Sequence, residues 1–401
     1  MTDHSYKYLI VGGGMTADAA VQGIREVDSQ GSIGIISAEQ DRPYDRPPLT
    51  KGLWKGKPLD SIWRRSDADN VELHLGCRAQ VLDVQGKQIT DDRGQSYTYD
   101  KLLLATGGQP RRLPFGGEDI IYFRTVADYR RLHAMAEKGK RFAVIGGGFI
   151  GSEIAAALAT NGVHVTMIFP ERGIGARAYP RDLSDFVTEY YRGKGVDVLP
   201  GKSVESLTRQ GDRYLLTTSE NRTVTVDGVV AGLGIEPDVE LAGRAGLELV
   251  NGIAVDTFLQ TSHSDIYAAG DVASFHNPAL NKRMRVEHED NANMMGKQAG
   301  RNMAGMKESY DHLPYFYSDL FDLGYEAVGE MDARLETFSD WKEPFKKGVV
   351  YYLRDGHVRG VLLWNVWDQV PAARELIAEH EPLAAEDLQG RLPRVLQGAS
   401  K

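Results

Sequence analysis

The first hydrophobic segment of the chain is a short apolar run that ends at three consecutive glycines. Tyr8 to Val11 are apolar, Gly12, Gly13 and Gly14 follow, and a stretch of small residues begins directly after them. This order predicts a strand, a tight turn and a helix. Gly12 permits the turn, and Gly14 lets the backbone approach a pyrophosphate at the positive N-terminus of the helix.

The third position of this glycine pattern is occupied by Ala17, where alanine still allows close packing of a helix on a strand. A second apolar run from Ile33 to Ala38 predicts the next strand, and it ends at Glu39. A carboxylate about 20 residues after the glycines is suited to bind a ribose hydroxyl. The motif favours a bound dinucleotide, and a glycine-rich turn in an ordinary α/β domain is the alternative.

The same pattern returns near the middle of the chain. Another apolar run ends in a complete GxGxxG motif formed by Gly146, Gly148 and Gly151. A following strand is predicted over Val163 to Phe169 and leads to Glu171. Two such motifs are far more specific than one, and they predict an enzyme that binds two nucleotides.

A proline-rich loop, Asp41 to Lys51, lies between the two motifs, and its three prolines predict a stiff, non-helical conformation. Arg46 and Lys51 are close enough in sequence to the first motif to reach phosphate or ring oxygens, with a solvated basic loop as the alternative. The pattern of the next residues predicts strands at Val71–Leu75 and Ala79–Val84, a hairpin at Lys87–Tyr99 and a buried strand at Asp100–Gly107.

The second half of the chain predicts further elements of both kinds. These are helices at Asp128–Lys138 and Asn291–Met306 and strands at Val224–Gly234, Ile253–Thr257 and Thr261–Asp271. At the end of its strand, Asp271 can accept hydrogen bonds from a polyol such as ribitol, can cap a helix, or can do both. From about residue 312 the sequence is aromatic and alternating, which predicts a small antiparallel sheet followed by a helix at Pro371–Ala378.

Composition excludes several classes of protein. The 401 residues are 42% hydrophobic and 26% charged, as in a soluble globular protein, and the net charge of −9 argues against a nucleic-acid surface. Cys77 is the single cysteine, so internal disulfides and a redox dithiol are excluded; we expect it on a strand, where it packs. No histidine has a convincing set of metal ligands, no apolar stretch approaches ~18 residues, and no targeting pattern precedes the first strand. We therefore expect no metal, no membrane span and a cytoplasmic location.

Residues at the second glycine motif indicate which nucleotide binds there. Glu171 favours a free 2′-hydroxyl and hence NADH over NADPH, although Arg172 or Arg177 could take a 2′-phosphate. Glu153 is predicted in the first turn of the helix after this motif, where any carboxylate is mildly favourable.

Several longer motifs resemble a known family of flavoproteins. The two glycine motifs, LLLATGG (102–108), IYAAGD (266–271) and the aromatic C-terminal region resemble the two-dinucleotide-binding superfamily. Within it, nearly the whole chain is similar to the ferredoxin/rubredoxin reductase group, and especially to the apoptosis-inducing-factor family. The most specific segments are PYDRPPLTK (43–51), GGGFIGSE (146–153), FPERG (169–173), RVEHED (285–290), GYEAVG (324–329), KGVVYYLRD (347–355) and GVLLWNVWDQVPAAR (360–374).

The resemblance implies an α/β fold of glutathione-reductase type, with two Rossmann-like domains and a C-terminal α+β domain. The FAD domain would comprise residues 1–113 and 235–311, the NAD domain residues 114–234, and the C-terminal dimerisation or interface domain residues 312–401. The implied FAD contacts are Gly12, Gly13, Gly14, Glu39, Arg46, Lys51, Ala79 (through its backbone), Arg124 and Asp271. The implied NADH contacts are Gly147, Gly148, Phe149, Ile150, Glu171, Arg177, Gly234, Glu287, His288, Tyr317, Glu326 and Asn365.

The resemblance also implies a catalytic pair, Lys51 and Glu153, beside flavin N5, where a cation stabilises the charge that develops on the reduced ring. Three departures from the family pattern are visible. Tyr317 stands where the family commonly has a tryptophan, so stacking near the flavin is expected to be weaker. The long insertion of the animal members, which would lie between Glu336 and Lys347, and a mitochondrial presequence are missing, which favours a bacterial-type enzyme.

The implied reaction is hydride transfer from NADH to FAD, followed by electron delivery to a second acceptor. We expect slow turnover with a quinone, a dye or oxygen, and the alternative acceptor is a small iron–sulfur protein, ferredoxin or rubredoxin. Docking of an acidic ferredoxin needs a basic surface, for which the candidates are Arg64, Arg65, Arg283 and Arg285. An alternative of another class is a redox-gated interaction protein, since the reduced form of the family is a dimer.

Overall fold

The computed structural model describes residues 4–66, 70–379 and 381–392. The outer ends of the predicted domains, at residues 1–3 and 393–401, lie outside the described residues. Its strands are β1 His4–Val11, β2 Ile33–Ser37, β3 Val71–Leu75, β4 Ala79–Asp83, β5 Gln88–Asp91, β6 Ser96–Leu104, β7 Gly108–Pro110, β8 Ile120–Tyr122, β9 Arg141–Ile145, β10 His164–Phe169, β11 Asp197–Pro200, β12 Val204–Gln210, β13 Arg213–Thr218, β14 Thr223–Val226, β15 Gly228–Ala231, β16 Ile235–Pro237, β17 Ile253–Ala254, β18 Ile266–Ala268, β19 Ala273–Asn277, β20 Lys282–Met284, β21 Tyr315–Leu320, β22 Leu323–Gly329, β23 Glu336–Glu343, β24 Lys347–Arg354 and β25 His357–Trp364. Its α-helices are α1 Met15–Val27, α2 Val126–Met135, α3 Phe149–Thr160, α4 Arg181–Gly193, α5 Glu240–Arg244, α6 Glu289–Met303, α7 Val370–Ala378 and α8 Ala385–Leu388.

The chain divides into two compact units, each made of three segments. The first unit comprises Met1–Pro47, Pro58–Gln109 and Glu236–Pro314, and the second comprises Pro48–Lys57, Pro110–Ile235 and Tyr315–Lys401. The three-domain boundaries expected from the sequence stay a prediction.

A mainly parallel sheet forms the centre of the first unit. Its strand order is β3-β2-β1-β6-β5-β4, and β18 also pairs with β6. Strands β3, β2, β1, β6 and β18 run parallel to one another. Strand β5 is antiparallel to both of its neighbours, β4 and the first half of β6. Helices α1 and α6 pack against each other in this unit. Every residue of β2 is buried, as expected for a parallel strand that is covered on both faces.

The second unit contains another parallel sheet, with the order β11-β10-β9-β15-β8. A three-stranded antiparallel sheet, β12-β13-β14, follows α4 and β11 in the chain. The C-terminal segment forms an antiparallel sheet with the order β21-β22-β25-β24-β23, on which α7 packs. The predicted fold class, two parallel α/β sheets and a C-terminal antiparallel sheet with a helix, is therefore confirmed. No helix within the described ranges is both long and apolar enough to cross a membrane.

Three predictions about individual elements are wrong. The predicted strand Val224–Gly234 is two strands, because β14 is antiparallel to β13 whereas β15 joins the parallel sheet. The hairpin predicted at Lys87–Tyr99 is confirmed by the antiparallel pairing of β5 with β6, but the strand predicted at Asp100–Gly107 is not a separate strand. It is the second half of β6, which pairs with β18. The proline-rich loop is not wholly non-helical, since Pro47–Thr50 forms a 3₁₀ turn, in which proline is tolerated at the first position.

Candidate functional site

The first glycine turn connects β1 to α1 in the first unit. Gly12 has a φ of +118°, and a Cβ at this residue would collide with the backbone carbonyl of Ala105, so only glycine suits the position. Gly14 is the N-cap of α1, and a Cβ there would meet nothing within 4 Å. No side chain of the described residues caps this helix. Its first N–H groups are therefore arranged to bind an anion such as a phosphate.

The second glycine turn, between β9 and α3, repeats this geometry in the second unit. Gly146 has a φ of +120°, and a Cβ there would collide with the carbonyl of Gly232. Gly148 is the N-cap of α3 and again has open space around its Cβ position, and no cap comes from a side chain in the part of the chain that the structure describes. Gly151 packs so closely on the turn that a Cβ would meet the carbonyl of Gly146. Two separate helix N-termini are thus prepared to bind phosphate groups.

Phe149 and Ile150 begin α3, and Ile150 is 41% exposed. The middle glycines of the two turns are Gly13 and Gly147. A Cβ at Gly147 would lie only 2.7 Å from the ring of Phe169 at the end of β10. The predicted glycines of both motifs therefore lie where each strand meets its helix.

A polar cluster follows the end of β2 in the first unit. The Glu39 carboxylate accepts hydrogen bonds from the Tyr44 hydroxyl at 2.6 Å and from the guanidinium of Arg46. Burial of this guanidinium acts to lower its pKa, but Tyr44, Glu39 and Asp271 outweigh burial and hold the pKa above its usual value. The structure thus brings together three predicted FAD residues, Glu39, Arg46 and Asp271.

Other predicted residues of the first unit lie at the ends of elements. Ala79 is the first residue of β4, and Glu287 forms an ion pair with Arg285 at 2.6 Å. His288 is the N-cap of α6. Asp271 lies in a 3₁₀ turn after β18, so the alternative that it caps an α-helix is wrong.

The corresponding carboxylate in the second unit is Glu171, which follows β10. It forms an ion pair with Arg177 at 2.6 Å, and the Glu171 side chain is 23% exposed whereas that of Arg177 is 85% exposed. Gly234 is exposed, and its carbonyl accepts a hydrogen bond from the Arg111 N–H at 3.0 Å. Arg124 lies just before α2, and its N–H donates to the Asp128 carboxylate.

Glu153 is the centre of a buried cluster within the second unit. Its side chain is 4% exposed, and its Oε2 accepts hydrogen bonds from Lys51 Nζ at 2.7 Å and from Thr50 Oγ1 at 2.6 Å. The other carboxylate oxygen, Oε1, accepts from Ser318 Oγ at 2.6 Å. Lys51 Nζ also lies 5.0 Å from the centre of the Tyr317 ring, within the range of a cation–π interaction. Both oxygens of the carboxylate are therefore anchored, which fixes the position of the lysine ammonium.

This arrangement corrects the predicted position of Glu153 in its helix and confirms that Lys51 lies beside Glu153. Because α3 begins at Phe149, Glu153 lies in the second turn of the helix and not in the first. Its direct donors, and not the helix N-terminus, account for its stabilisation. Lys51 and Glu153 are 102 residues apart in sequence and are in contact as expected. The sequence did not predict that Thr50 and Ser318 bind Glu153. Thr50 could have been considered because it is next to Lys51, whereas Ser318 is 165 residues from Glu153 and no sequence motif marks it.

The remaining predicted residues lie on the C-terminal antiparallel sheet or, for Asn365, directly after its strand β25. Tyr317 and Glu326 are direct cross-strand partners on β21 and β22. One carboxylate oxygen of Glu326 is buried and has no hydrogen-bond partner among the described residues, and burial raises the pKa of this carboxyl. Asn365 accepts from the Gly324 N–H and donates to the Lys346 carbonyl, both at 2.8 Å. Its amide thus holds the chain's own backbone, whereas Glu326 keeps an acceptor for a ligand amide.

Cys77 takes no part in these sites. It is 2% exposed, and burial raises the pKa of its thiol, which disfavours the reactive thiolate. It lies in the connection between β3 and β4, so its predicted placement on a strand is wrong. Its N–H donates to the carbonyl of Ser37, and its side chain belongs to the core of the first unit.

Comparison with known proteins gives matches over nearly the whole chain. Residues 6–296 match the family described as pyridine nucleotide-disulphide oxidoreductase, and residues 299–344 and 338–379 match the C-terminal family of apoptosis-inducing factor. The mitochondrial apoptosis-inducing factor 1 of Dictyostelium discoideum is 35% identical over 96% of this chain and 80% of its own length.

A bacterial relative is similar to the same extent. The ferredoxin–NAD(+) reductase component of the anthranilate 1,2-dioxygenase system of Burkholderia cepacia is 33% identical over 92% of this chain and 94% of its own length. Among solved structures, the covalent putidaredoxin reductase–putidaredoxin complex matches with a TM-score of 0.89 and 28% identity, covering 95% of this chain and 94% of that chain.

Proposed function

The chain belongs to the pyridine nucleotide-disulphide oxidoreductase family and is an FAD-dependent NAD(P)H oxidoreductase, and we propose that it uses NADH in preference to NADPH and reduces a quinone, a dye or oxygen. The observation that carries the proposal is the pair of open glycine turns together with the buried Lys51–Glu153 pair. When bound, FAD accepts hydride from the nicotinamide and passes electrons on singly or in pairs. An internal redox disulphide is excluded, because the chain has one cysteine.

The residues present fit both cofactors. Gly14 is the N-cap of α1 and Gly148 the N-cap of α3, and both leave room for a pyrophosphate. Glu39 and Glu171 follow the second strands of the two sheets, where a ribose is expected. The unpartnered oxygen of Glu326 suits the amide group of a nicotinamide. We assign the ribityl and adenosine side of FAD to Glu39, Arg46 and Asp271 and keep the remaining assignments as predicted from the family.

Lys51 is assigned the role of the cation at the reaction centre. Glu153, Thr50 and Ser318 hold its ammonium in one position, so that no reorganisation is needed as charge develops nearby. The Tyr317 ring lies 5.0 Å from the ammonium and adds a cation–π interaction. Replacement Lys51→Met keeps an unbranched side chain, one atom shorter, and removes its charge. It should slow flavin reduction by NADH in stopped-flow experiments. Lys55→Met, an exposed lysine in the same segment, is the control.

The preference for NADH rests on Glu171. Its carboxylate suits the ribose hydroxyls and repels a 2′-phosphate, although the exposed Arg177 beside it partly offsets that repulsion. We expect kcat/KM to be higher with NADH than with NADPH, and the ratio to fall in Glu171→Gln but not in Glu205→Gln, an exposed residue on β12. Equal or higher kcat/KM with NADPH in the unmodified protein contradicts the proposal.

The proposal of a small acceptor rests on how exposed the four candidate arginines are and on which of them already form ion pairs. Arg64 is 14% exposed and bonds to Asp18 and Asp45, and Arg285 is 10% exposed and pairs with Glu287. Arg65 and Arg283 remain exposed, so the four arginines do not offer four available charges to an acidic partner.

An iron–sulfur protein is the second candidate acceptor, because the Burkholderia relative is a ferredoxin reductase component and the putidaredoxin reductase neighbour is a complex with putidaredoxin. The test is reoxidation of the NADH-reduced protein by a quinone, a dye, oxygen, ferredoxin or rubredoxin in stopped-flow mixing. We expect the quinone or dye to be fastest and the charge reversals Arg65→Glu and Arg283→Glu to have no effect. Fast reoxidation by ferredoxin that these reversals slow would establish the iron–sulfur acceptor instead.

A redox-gated change of association is the remaining alternative, with a homodimer formed on reduction. Gel filtration with and without NADH tests it directly. A smaller elution volume with NADH would support the dimer, and an unchanged elution volume would remove this function.

A further inference from the structure

Two histidines and a glutamate meet on the mainly parallel sheet of the first unit. His4 lies on β1, and Glu72 and His74 lie on β3. One oxygen of Glu72 is 3.5 Å from His4 Nδ1 and 3.6 Å from His74 Nε2. The donor atoms of all three side chains lie within 4.8 Å of one another.

The strand between them explains how residues of β1 and β3 can meet. Glu72 pairs with Gly34 of β2, and a Cβ on this glycine would lie only 2.6 Å from the ring of Tyr6. Because Gly34 has no side chain, the side chains of β1 can extend across β2 towards β3. Glu72 and His74 are two positions apart on β3, so their side chains point to the same face of the sheet.

The two imidazole rings are held by aromatic neighbours. His4 stacks on Tyr97 with ring centres 5.2 Å apart, and His74 meets the same tyrosine edge-on at 4.8 Å. The Tyr6 hydroxyl lies 2.7 Å from His74 Nε2. The histidine side chains are 19% and 12% exposed, whereas Glu72 is 55% exposed and can adjust its position. Two fixed nitrogens and one mobile carboxylate form a partly prepared ligand set.

We propose that His4, Glu72 and His74 bind a divalent transition-metal ion of the zinc class. Two imidazole nitrogens and one carboxylate oxygen are a recognised zinc ligand set, with water in the remaining position. Ligands about 2.0–2.1 Å from a tetrahedral ion are separated by about 3.4 Å. The two measured separations from Glu72 are close to that value, so a small closure of the two rings completes the site. A bound ion replaces the hydrogen bond between Tyr6 and His74.

The sequence predicts no metal, and the structure shows why such a site escapes sequence patterns. His4 and Glu72 are separated by 67 intervening residues on strands that are not neighbours in the sheet. Only Glu72 and His74 are close in sequence, and two ligands do not define a site.

Isothermal titration with ZnCl₂, on FAD-loaded protein without a polyhistidine tag, tests the proposal. We expect one zinc per chain, verified by equilibrium dialysis and elemental analysis. Each of Glu72→Gln, His4→Gln and His74→Gln should weaken binding by ~10-fold or more. Matched controls are His276→Gln and Glu248→Gln, two exposed residues of the same unit, which should leave the affinity unchanged.

Because Glu72 is more than half exposed, Glu72→Gln folds even where a histidine replacement destabilises the sheet. Circular dichroism and flavin content check the folding of the other two variants. Absence of zinc binding, or an affinity that none of the three replacements changes, overturns the proposal. NADH-dependent flavin reduction is recorded separately, since the metal site does not depend on the proposed electron acceptor.

Discussion

Removal of a single hydroxyl from the Glu153 cluster gives the sharpest test of the buried arrangement. Thr50→Val replaces the donor to Glu153 Oε2 by a methyl group of nearly the same shape. Thr50 is 6% exposed and Glu153 is 3% exposed, so water does not readily replace the lost hydrogen bond. The carboxylate keeps Lys51 on the same oxygen and Ser318 on the other.

The expected magnitude follows from the charge of the acceptor. A hydrogen bond to an ionised group contributes about 1.5–3 kcal/mol, and loss of a partner leaves a buried charge poorly solvated. We therefore expect Thr50→Val to lower the free energy of unfolding by about 1.5–3 kcal/mol. Thr50→Ser keeps the hydroxyl and removes one methyl group, so its expected cost is only about 0.8 kcal/mol.

The assay is unfolding in guanidinium chloride with saturating FAD, and far-UV circular dichroism monitors the transition. Equal dependence of the unfolding free energy on denaturant concentration in the two variants checks that they unfold alike. Ser318→Ala and the double variant Thr50→Val/Ser318→Ala complete a double-mutant cycle. Since both hydroxyls donate to one carboxylate, the two effects should not add, with a coupling of at least about 0.5 kcal/mol. Ser339→Ala, on β23 of the same sheet as Ser318, is the control for loss of a serine hydroxyl.

Two results would refute the reasoning. If Thr50→Val is no less stable than Thr50→Ser, the hydroxyl does not stabilise the buried carboxylate. If the effects of the two hydroxyl deletions are strictly additive, Thr50 and Ser318 do not act on a common group.

Other substitutions test the nucleotide turn, the sheet carboxylate and the thiol. Gly148→Ala places its Cβ in open space, so it should leave Tm unchanged and raise the KM for NADH. Gly151→Ala should lower Tm, because its Cβ would collide with the backbone of Gly146. Equal Tm values for the two variants would contradict this contrast. Burial raises the pKa of Glu326 above its ordinary value of 4.5, so the unmodified protein loses stability as pH rises from that value towards the folded pKa. Glu326→Gln should therefore raise Tm at neutral pH and have no effect below pH 4.5, and a pH-independent difference would exclude titration as the cause. Cys77→Ala should keep NADH-dependent flavin reduction, since the thiol is buried in the core; loss of reduction at normal flavin content would assign it a chemical role.

Much of the fold could be predicted because its signals are local. The apolar runs that end at Gly12 and Gly146 define strands, and the small residues after them define helices, since each pattern depends on neighbours along the chain. Strand β3 was predicted with the observed bounds for the same reason. The division of residues 224–234 between two sheets was not predictable, because a short apolar run does not specify the direction of its partner.

The candidate site shows the same limit. Glu39 and Arg46 are close in sequence and follow one strand, so their proximity could be anticipated. Lys51 and Glu153 were paired only through a family resemblance, and no pattern along the chain indicates Ser318 or the meeting of His4 with Glu72.

The sequence by itself therefore determined two nucleotide-binding turns, their phosphate-binding glycines and the absence of a cysteine pair. These properties depend on backbone conformation and residue type over a few consecutive positions. Only the tertiary structure decided which hydroxyls anchor Glu153 and which side chains reach across Gly34. Those contacts join residues far apart in the chain, and their positions are set by strand order and packing, to which every part of each unit contributes.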